Sequence, residues 1–303
     1  MLIDAVERYL AARRAMGFKL QEVEPRLRSF AQHADAAGEQ RVRAETADRW
    51  AAAGGTPDTR LRRIQDVGRF ARWLQAEAPG HEVPRVEGFR YRRTRPVPYI
   101  YSSEEVERLL EAAAGARRSQ PLRREMFVML FGLLAATGMR VSEALHLELK
   151  DLLPGGVLRV RQSKFGKSRL VPLHETVATA LEQYLTLRRK AYPESECLFP
   201  GGTGGPLHRS TVQSRFQQAL RRAGLEGSRT RRPRIHDLRH TFATRSLEDC
   251  GSRREAVGEH FVAVSTYLGH VHPASTYWYM QATPELLRDV ASAAEALLAG
   301  EVA

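Results

Sequence analysis

The residues whose types and spacing could do chemistry are mostly basic, with a pair of phenols among them. His236, Arg239 and His240 form the pattern His-x-x-Arg-His, and Arg140 sits within Thr137-Gly138-Met139-Arg140-Val141-Ser142-Glu143. If helical, His236 and Arg239 share a face and can reach one bound group together. Such a set suits attack on a phosphodiester. That ester is anionic and resists nucleophiles, so a site must neutralise its non-bridging oxygens and stabilise the charge that grows in the transition state. The planar fork of arginine binds two phosphate oxygens and stays charged. Arg140 and Arg239 would form that clamp. His236 would act as general base, or hold the phosphate and shuttle the proton, and His270 would donate to a phosphate oxygen. Lys164 or Lys167 could protonate a departing alkoxide or only contact phosphate. Tyr277 and Tyr279 are the nucleophile candidates; a phenol with a pKa of about 10 needs a base and a cationic setting. Each residue alone has a plainer reading, as a helix cap, a surface histidine or core packing. His270-Val271-His272 lacks Cys or carboxylate partners at ligand spacing, so neither a metal nor another cofactor is expected.

These residues need elements to position them. Ser102, with Glu105 three residues on, predicts a capped helix start. Val157-Leu158-Arg159-Val160-Arg161 alternates, a turn containing Gly166 follows, and Arg169-Leu170-Val171-Pro172-Leu173 completes a hairpin. Val177, Leu181 and Leu185 return to helical spacing, and further helices are expected over 209–223, 237–249, 257–268 and 284–299. Residues 1–86 also read as helices, with apolar stripes at Leu2, Val6, Tyr9 and Leu10 and at Ile64, Val67, Ala71 and Leu74. Arg62 and Arg69 lie on the face opposite the second stripe, where they contact phosphates or are simply solvated. Pro79, Gly80, Pro84 and Gly88 interrupt the chain before a basic linker, 87–100, that carries Arg90, Arg92, Arg93 and Arg95. Pro96 and Pro98 keep it extended, along a phosphate backbone or in solvent. The expected class is therefore mainly α with a small β-hairpin. It comprises a helical domain over 1–86, the linker, and a mixed domain over 101–303.

Bulk properties fit that plan. The 303 residues suffice for two cores, and no apolar run approaches the length of a membrane span. Met1 to Leu20 mixes acids and arginines with its apolar residues, unlike a secretory signal. Cys197 and Cys250 suggest no disulfide framework, which favours a reducing cytoplasm. The net charge of +12 favours polyanionic partners, nucleic acid ahead of membranes. Residues 1–86 contribute only +3 of it and the remainder +9. The stretch Pro284–Leu298, apolar at Leu286, Leu287, Val290 and Leu297, would dock on a neighbouring copy or finish its own core.

Four segments resemble the motifs of the tyrosine recombinase (phage integrase) family. Thr137 to Leu145, with Leu147, Leu149 and Asp151, is similar to its first arginine box. Ser163-Lys164-Phe165-Gly166-Lys167 to Leu173 resembles its lysine hairpin. His236-Asp237-Leu238-Arg239-His240-Thr241 resembles the His-x-x-Arg-His box, and Leu268-Gly269-His270 with Tyr279 nine residues later resembles the ending. The resemblance implies that Arg140, Lys164, His236, Arg239, His270 and Tyr279 are catalytic, choosing Lys164 over Lys167 and Tyr279 over Tyr277. It implies a two-domain clamp on double-stranded DNA, with a helical core-binding domain and a mixed α/β catalytic domain. The reaction would run through a 3′-phosphotyrosyl intermediate and a Holliday junction, in a homotetramer on paired recombination sites, without ATP or metal. A type IB topoisomerase and a non-catalytic DNA-binding protein are the competing expectations. The gap from Arg239 to His270 exceeds the family's usual spacing near 251–260, so an unusual loop is expected there.

Overall fold

The computed structural model describes residues 1–89, 98–115, 121–161, 168–226, 232–248 and 254–269. Lys164, His270, Tyr277, Tyr279, the linker arginines Arg90, Arg92, Arg93 and Arg95, and the segment 284–299 lie outside the described residues. The chain divides into two compact units, Met1–Arg95 and Pro96–Ala303.

The first unit holds α1 (Leu2–Ala15), α2 (Val23–Ala36), α3 (Ala44–Ala52) and α4 (Pro57–Gln75). Pro57 opens α4 where no intrahelical N–H is needed, and Thr56 caps it by accepting from the Thr59 N–H. The expected stripes turn inward: Leu2, Val6, Tyr9 and Leu10 are buried, as are Ile64, Val67, Ala71 and Leu74, and Leu27, Phe30 and Phe70 join them. Each of the larger side chains among them contributes on the order of 1.5–3 kcal/mol. Asp66 is buried on the same helix and takes Nε of Arg26 at 2.6 Å and Nη2 of Arg69 at 2.5 Å. Val83, Val86 and Phe89 pack on this core, so the packed chain continues past residue 86.

In the second unit, α5 (Ser103–Ala114) starts as the capping box requires. Ser102 Oγ accepts from the Glu105 N–H at 3.1 Å, and the Glu105 carboxylate accepts from the Ser102 N–H at 2.9 Å. Tyr99 and Tyr101 are buried in this core, so the basic linker is bounded by packed chain on both sides. α6 (Pro121–Thr137) is the central helix, packed against α5, α8 and α10. Met126, Phe127, Met129, Leu130, Phe131, Leu133 and Leu134 bury more than one of its faces, as a surrounded helix must. After the short α7 (Val141–Leu145) comes an antiparallel sheet in the order β1 (Leu152–Leu153), β2 (Val157–Val160), β3 (Arg169–Pro172). Its hairpin register pairs Leu158 with Val171 and Val160 with Arg169.

The remaining helices are α8 (Glu175–Ala191), α9 (Arg209–Arg222), α10 (Ile235–Glu248) and α11 (Arg254–Leu268). Arg188, wholly buried at the end of α8, donates to the carbonyls of Tyr192, Ser195 and Cys197 and fixes the turn that follows. Much of the stretch expected to be an unusual loop near 251–260 is helix, because α11 begins at Arg254.

Candidate active site

Arg140 is positioned by the end of one helix and the start of the next. The Thr137 hydroxyl donates to the Leu133 carbonyl at 2.6 Å, and the Gly138 N–H reaches back to the Leu134 carbonyl at 3.0 Å. Gly138 has φ +59°, the left-handed conformation in which glycine ends helices. A Cβ there would stand 2.5 Å from the Phe242 ring, so the glycine also lets α10 approach. Arg140 then becomes the N-cap of α7. Its backbone N–H donates to Glu143 Oε2 at 2.9 Å and its Nη1 to Oε1 at 2.6 Å.

Glu143 is buried and serves a second guanidinium, accepting from Arg169 at 3.1 and 2.8 Å. Burial pushes its carboxyl up, but the hydrogen bonds and charge of Arg169 and Arg140 outweigh that and hold it at about 2. Two fixed cations around one carboxylate leave a net positive charge, which is what an approaching phosphate needs.

Arg239 lies on α10, only 3% exposed. Its Nη1 donates to the Gly138 carbonyl at 2.7 Å and its Nη2 to the Leu268 carbonyl at 2.8 Å. Beside the latter, Arg169 Nε donates to Tyr267 O at 2.7 Å, and Arg140 Nη2 approaches Gly269 O at 3.5 Å. Three arginines from three segments thus meet three consecutive carbonyls at the end of α11. Helix C-termini leave such carbonyls unsatisfied and partially negative, so cations are favoured there.

His236 is on the first turn of α10, exposed, with its ring edge-on to that of His240 at 4.8 Å between centroids. One edge of the ring meets solvent, yet the protein crowded around it, and then the charge of Arg239, press its pKa down, to about 4; Arg140 is near enough to contribute. The imidazole is therefore neutral at physiological pH and able to accept a proton. Asp237 caps this helix instead of facing the site, accepting from the Arg234 N–H at 2.8 Å.

Of the six expected catalytic residues, Arg140, Arg239 and His236 come together, and Lys164, His270 and Tyr279 fall outside the described residues. Arg62 and Arg69 are exposed but already paired, Arg62 with Asp58 at 2.8 Å and Arg69 with Asp66 at 2.5 Å. Asp151 is elsewhere, bonded to Arg161 of the hairpin at 2.9 Å. Glu143 and Arg169 were read from the sequence only as parts of the first arginine box and the lysine hairpin, with no role assigned to either. A groove of about 1050 Å³ between α5, α6, α8 and α10 involves Leu238, Thr241 and Phe242, on the face of α10 turned away from His236 and Arg239. Among the described residues no cluster of His, Cys, Asp or Glu could hold a metal, and no helix is long and apolar enough to cross a membrane.

A family model described as the phage integrase family matches residues 100–285. The chain belongs to the phage integrase family. It is 31% identical over 244 residues to the tyrosine recombinase XerD of Caulobacter vibrioides, covering 79% of this chain and 75% of XerD. The Sinorhizobium fredii protein y4rB, named as an integrase/recombinase, is 37% identical over 296 residues, 94% of each chain. A lambda integrase tetramer bound to a Holliday junction shares the fold with a TM-score of 0.66 at 19% identity, covering 92% of this chain and 76% of that one. This phage integrase relative is thus a tyrosine recombinase, an enzyme of site-specific DNA recombination, mainly helical with a small antiparallel sheet. The comparisons give no support to a topoisomerase or a non-catalytic binding protein.

Proposed function

We propose that this recombinase cleaves one DNA strand with the Tyr279 hydroxyl, in a site whose phosphate clamp is Arg140 and Arg239. The observation that carries the proposal is the placement of Arg239, whose fork joins the Gly138 turn to the end of α11. Three segments, at 137–145, 236–241 and 267–269, thereby meet at one cationic point. The Tyr279 oxygen attacks phosphorus and its proton passes to neutral His236. The bond to the 5′-oxygen breaks, and that oxygen takes a proton from Lys164. The phosphate stays as a 3′-phosphotyrosyl ester, with His270 donating to one of its oxygens. Attack by a partner strand's 5′-hydroxyl reverses these transfers and joins the strands. Two rounds pass through a Holliday junction in a homotetramer on paired sites, a reading supported by the junction-bound lambda integrase tetramer. Residues 1–86 act as the core-binding domain, and Arg62, Arg69, Arg90, Arg92, Arg93 and Arg95 contact phosphates. The enzyme works in the cytoplasm and uses no cofactor or metal.

The test uses DNA nicked beside the scissile phosphate, so that the short strand diffuses away and the covalent adduct persists. Wild type and Tyr277→Phe accumulate the adduct. Tyr279→Phe binds the DNA and forms none. An adduct mapped to Tyr277, or a 5′ linkage, overturns the assignment. The adduct is also expected to form in EDTA, and its loss there with recovery on adding a divalent ion would refute metal-free chemistry.

A further inference from the structure

We propose that Arg169 is a positioning residue for the cleavage step, holding Arg140 and the end of α11 in register with the hairpin. The proposal rests on the reading of Arg140 as a phosphate clamp. Arg169 opens β3, five residues after Lys164 in the sequence. Its three guanidinium nitrogens are all used. Nη1 and Nη2 grip both oxygens of Glu143, and Nε donates to the Tyr267 carbonyl.

Glu143 in turn fixes Arg140 twice, through its backbone N–H and its Nη1. Without Arg169, the carboxylate keeps one guanidinium partner and can rotate toward it. Arg140 would then be drawn into a tighter pair, and its remaining contact, 3.5 Å from the Gly269 carbonyl, is too long to oppose that. Arg169 also touches the turn itself. A Cβ on Gly269, which has φ +68°, would lie 3.3 Å from Arg169 Nη1, so the guanidinium is packed against the residue that precedes His270. The side chain is only 11% exposed, and Glu143 only 3%. A planar, bidentate fork in so enclosed a place is not replaced by a point-charge ammonium. Arg169 touches no substrate in this scheme and acts only through Glu143 and the α11 end.

The test compares wild type, Arg169→Gln, Arg169→Lys and Arg140→Ala in single-turnover cleavage of the nicked DNA. Each is assayed on a normal scissile phosphate and on a methylphosphonate, whose methyl group removes the charge that the clamp neutralises. Thermal melting and DNA affinity are measured alongside. Both Arg169 variants are expected to bind DNA like wild type and to cleave the phosphodiester on the order of 100-fold more slowly, the size of effect produced by ångström-scale misplacement. That deficit should shrink at least several-fold on the methylphosphonate. A merely structural role predicts the same deficit on both substrates, and that result overturns the proposal. So does wild-type cleavage by either folded variant. If Arg169→Gln melts below the assay temperature, Arg169→Lys decides. If Arg140→Ala itself shows no narrowing on the neutral substrate, the clamp reading fails, independently of Arg169.

Discussion

Arg140 and Arg239 are both cast as phosphate ligands, yet their surroundings make them unequal. The Arg140 side chain is 22% exposed, and its strongest partner is a carboxylate that retains Arg169. Arg140→Ala should therefore abolish cleavage, by about 100- to 1,000-fold as for loss of one preorganised donor, with little change in melting. Arg239→Ala leaves the Gly138 and Leu268 carbonyls without their buried donors, so it should also cost about 1–3 kcal/mol in denaturant unfolding. Equal stability of the two variants would contradict this. Gly138→Ala meets both a left-handed backbone and the Phe242 ring. A loss of about 2–4 kcal/mol, with cleavage falling too, is expected from strain and overpacking together. The candidate residues were legible in the sequence because each motif is local, so Arg140, His236 and Arg239 were named by the resemblance of their short boxes to the family's motifs. Arg169 was given no role, because its value depends on meeting Glu143, which lies 26 residues away along the chain.

At the scale of elements, α10 carries the pH response. His240 is buried on it, and burial, then the adjacent His236, press its pKa down to about 3. In the unfolded chain it titrates near 6.5, so between these values the unfolded state binds more protons and stability rises with pH. The stabilisation is present above about 6.5 and is lost as pH falls toward 3. Denaturant unfolding at pH 7.5, 6.5, 5.5 and 4.5 should show a steady decline for wild type and a shallower one for His240→Gln. Parallel declines would assign the effect to other groups. Several boundaries were readable for clear reasons. The Ser102 capping box marked the start of α5, and the alternation around Leu158 and Val171 marked the hairpin. Others escaped for equally physical reasons. β1 is two residues long and shows no alternation. α10 starts at Ile235 instead of 237 because Asp237 caps backward onto the Arg234 N–H. Phe89 and Tyr99 belong to packed cores because burial of an aromatic outweighs the linker character of their neighbours.

The molecule as a whole carries +12, and its binding to DNA should be governed by counterion release. Log affinity is expected to fall linearly with log salt, by roughly 0.9 per phosphate neutralised. Replacing Arg90, Arg92, Arg93 and Arg95 by Gln should flatten that slope if the linker tracks a backbone, and an unchanged slope assigns them to solvent. Arg62→Gln should flatten it less than one full contact, because Asp58 already holds that guanidinium. The meeting of Arg140, Arg169 and Arg239 at the carbonyls of residues 267–269 also imposes an order in time. A ribosome makes the first of these arginines more than a hundred residues before the peptide groups that receive it. Until that late stretch has emerged and docked, the cations have no common anchor. A chain still being translated therefore has no assembled arginine cluster, and the proposed cutting centre arrives together with completion of the fold.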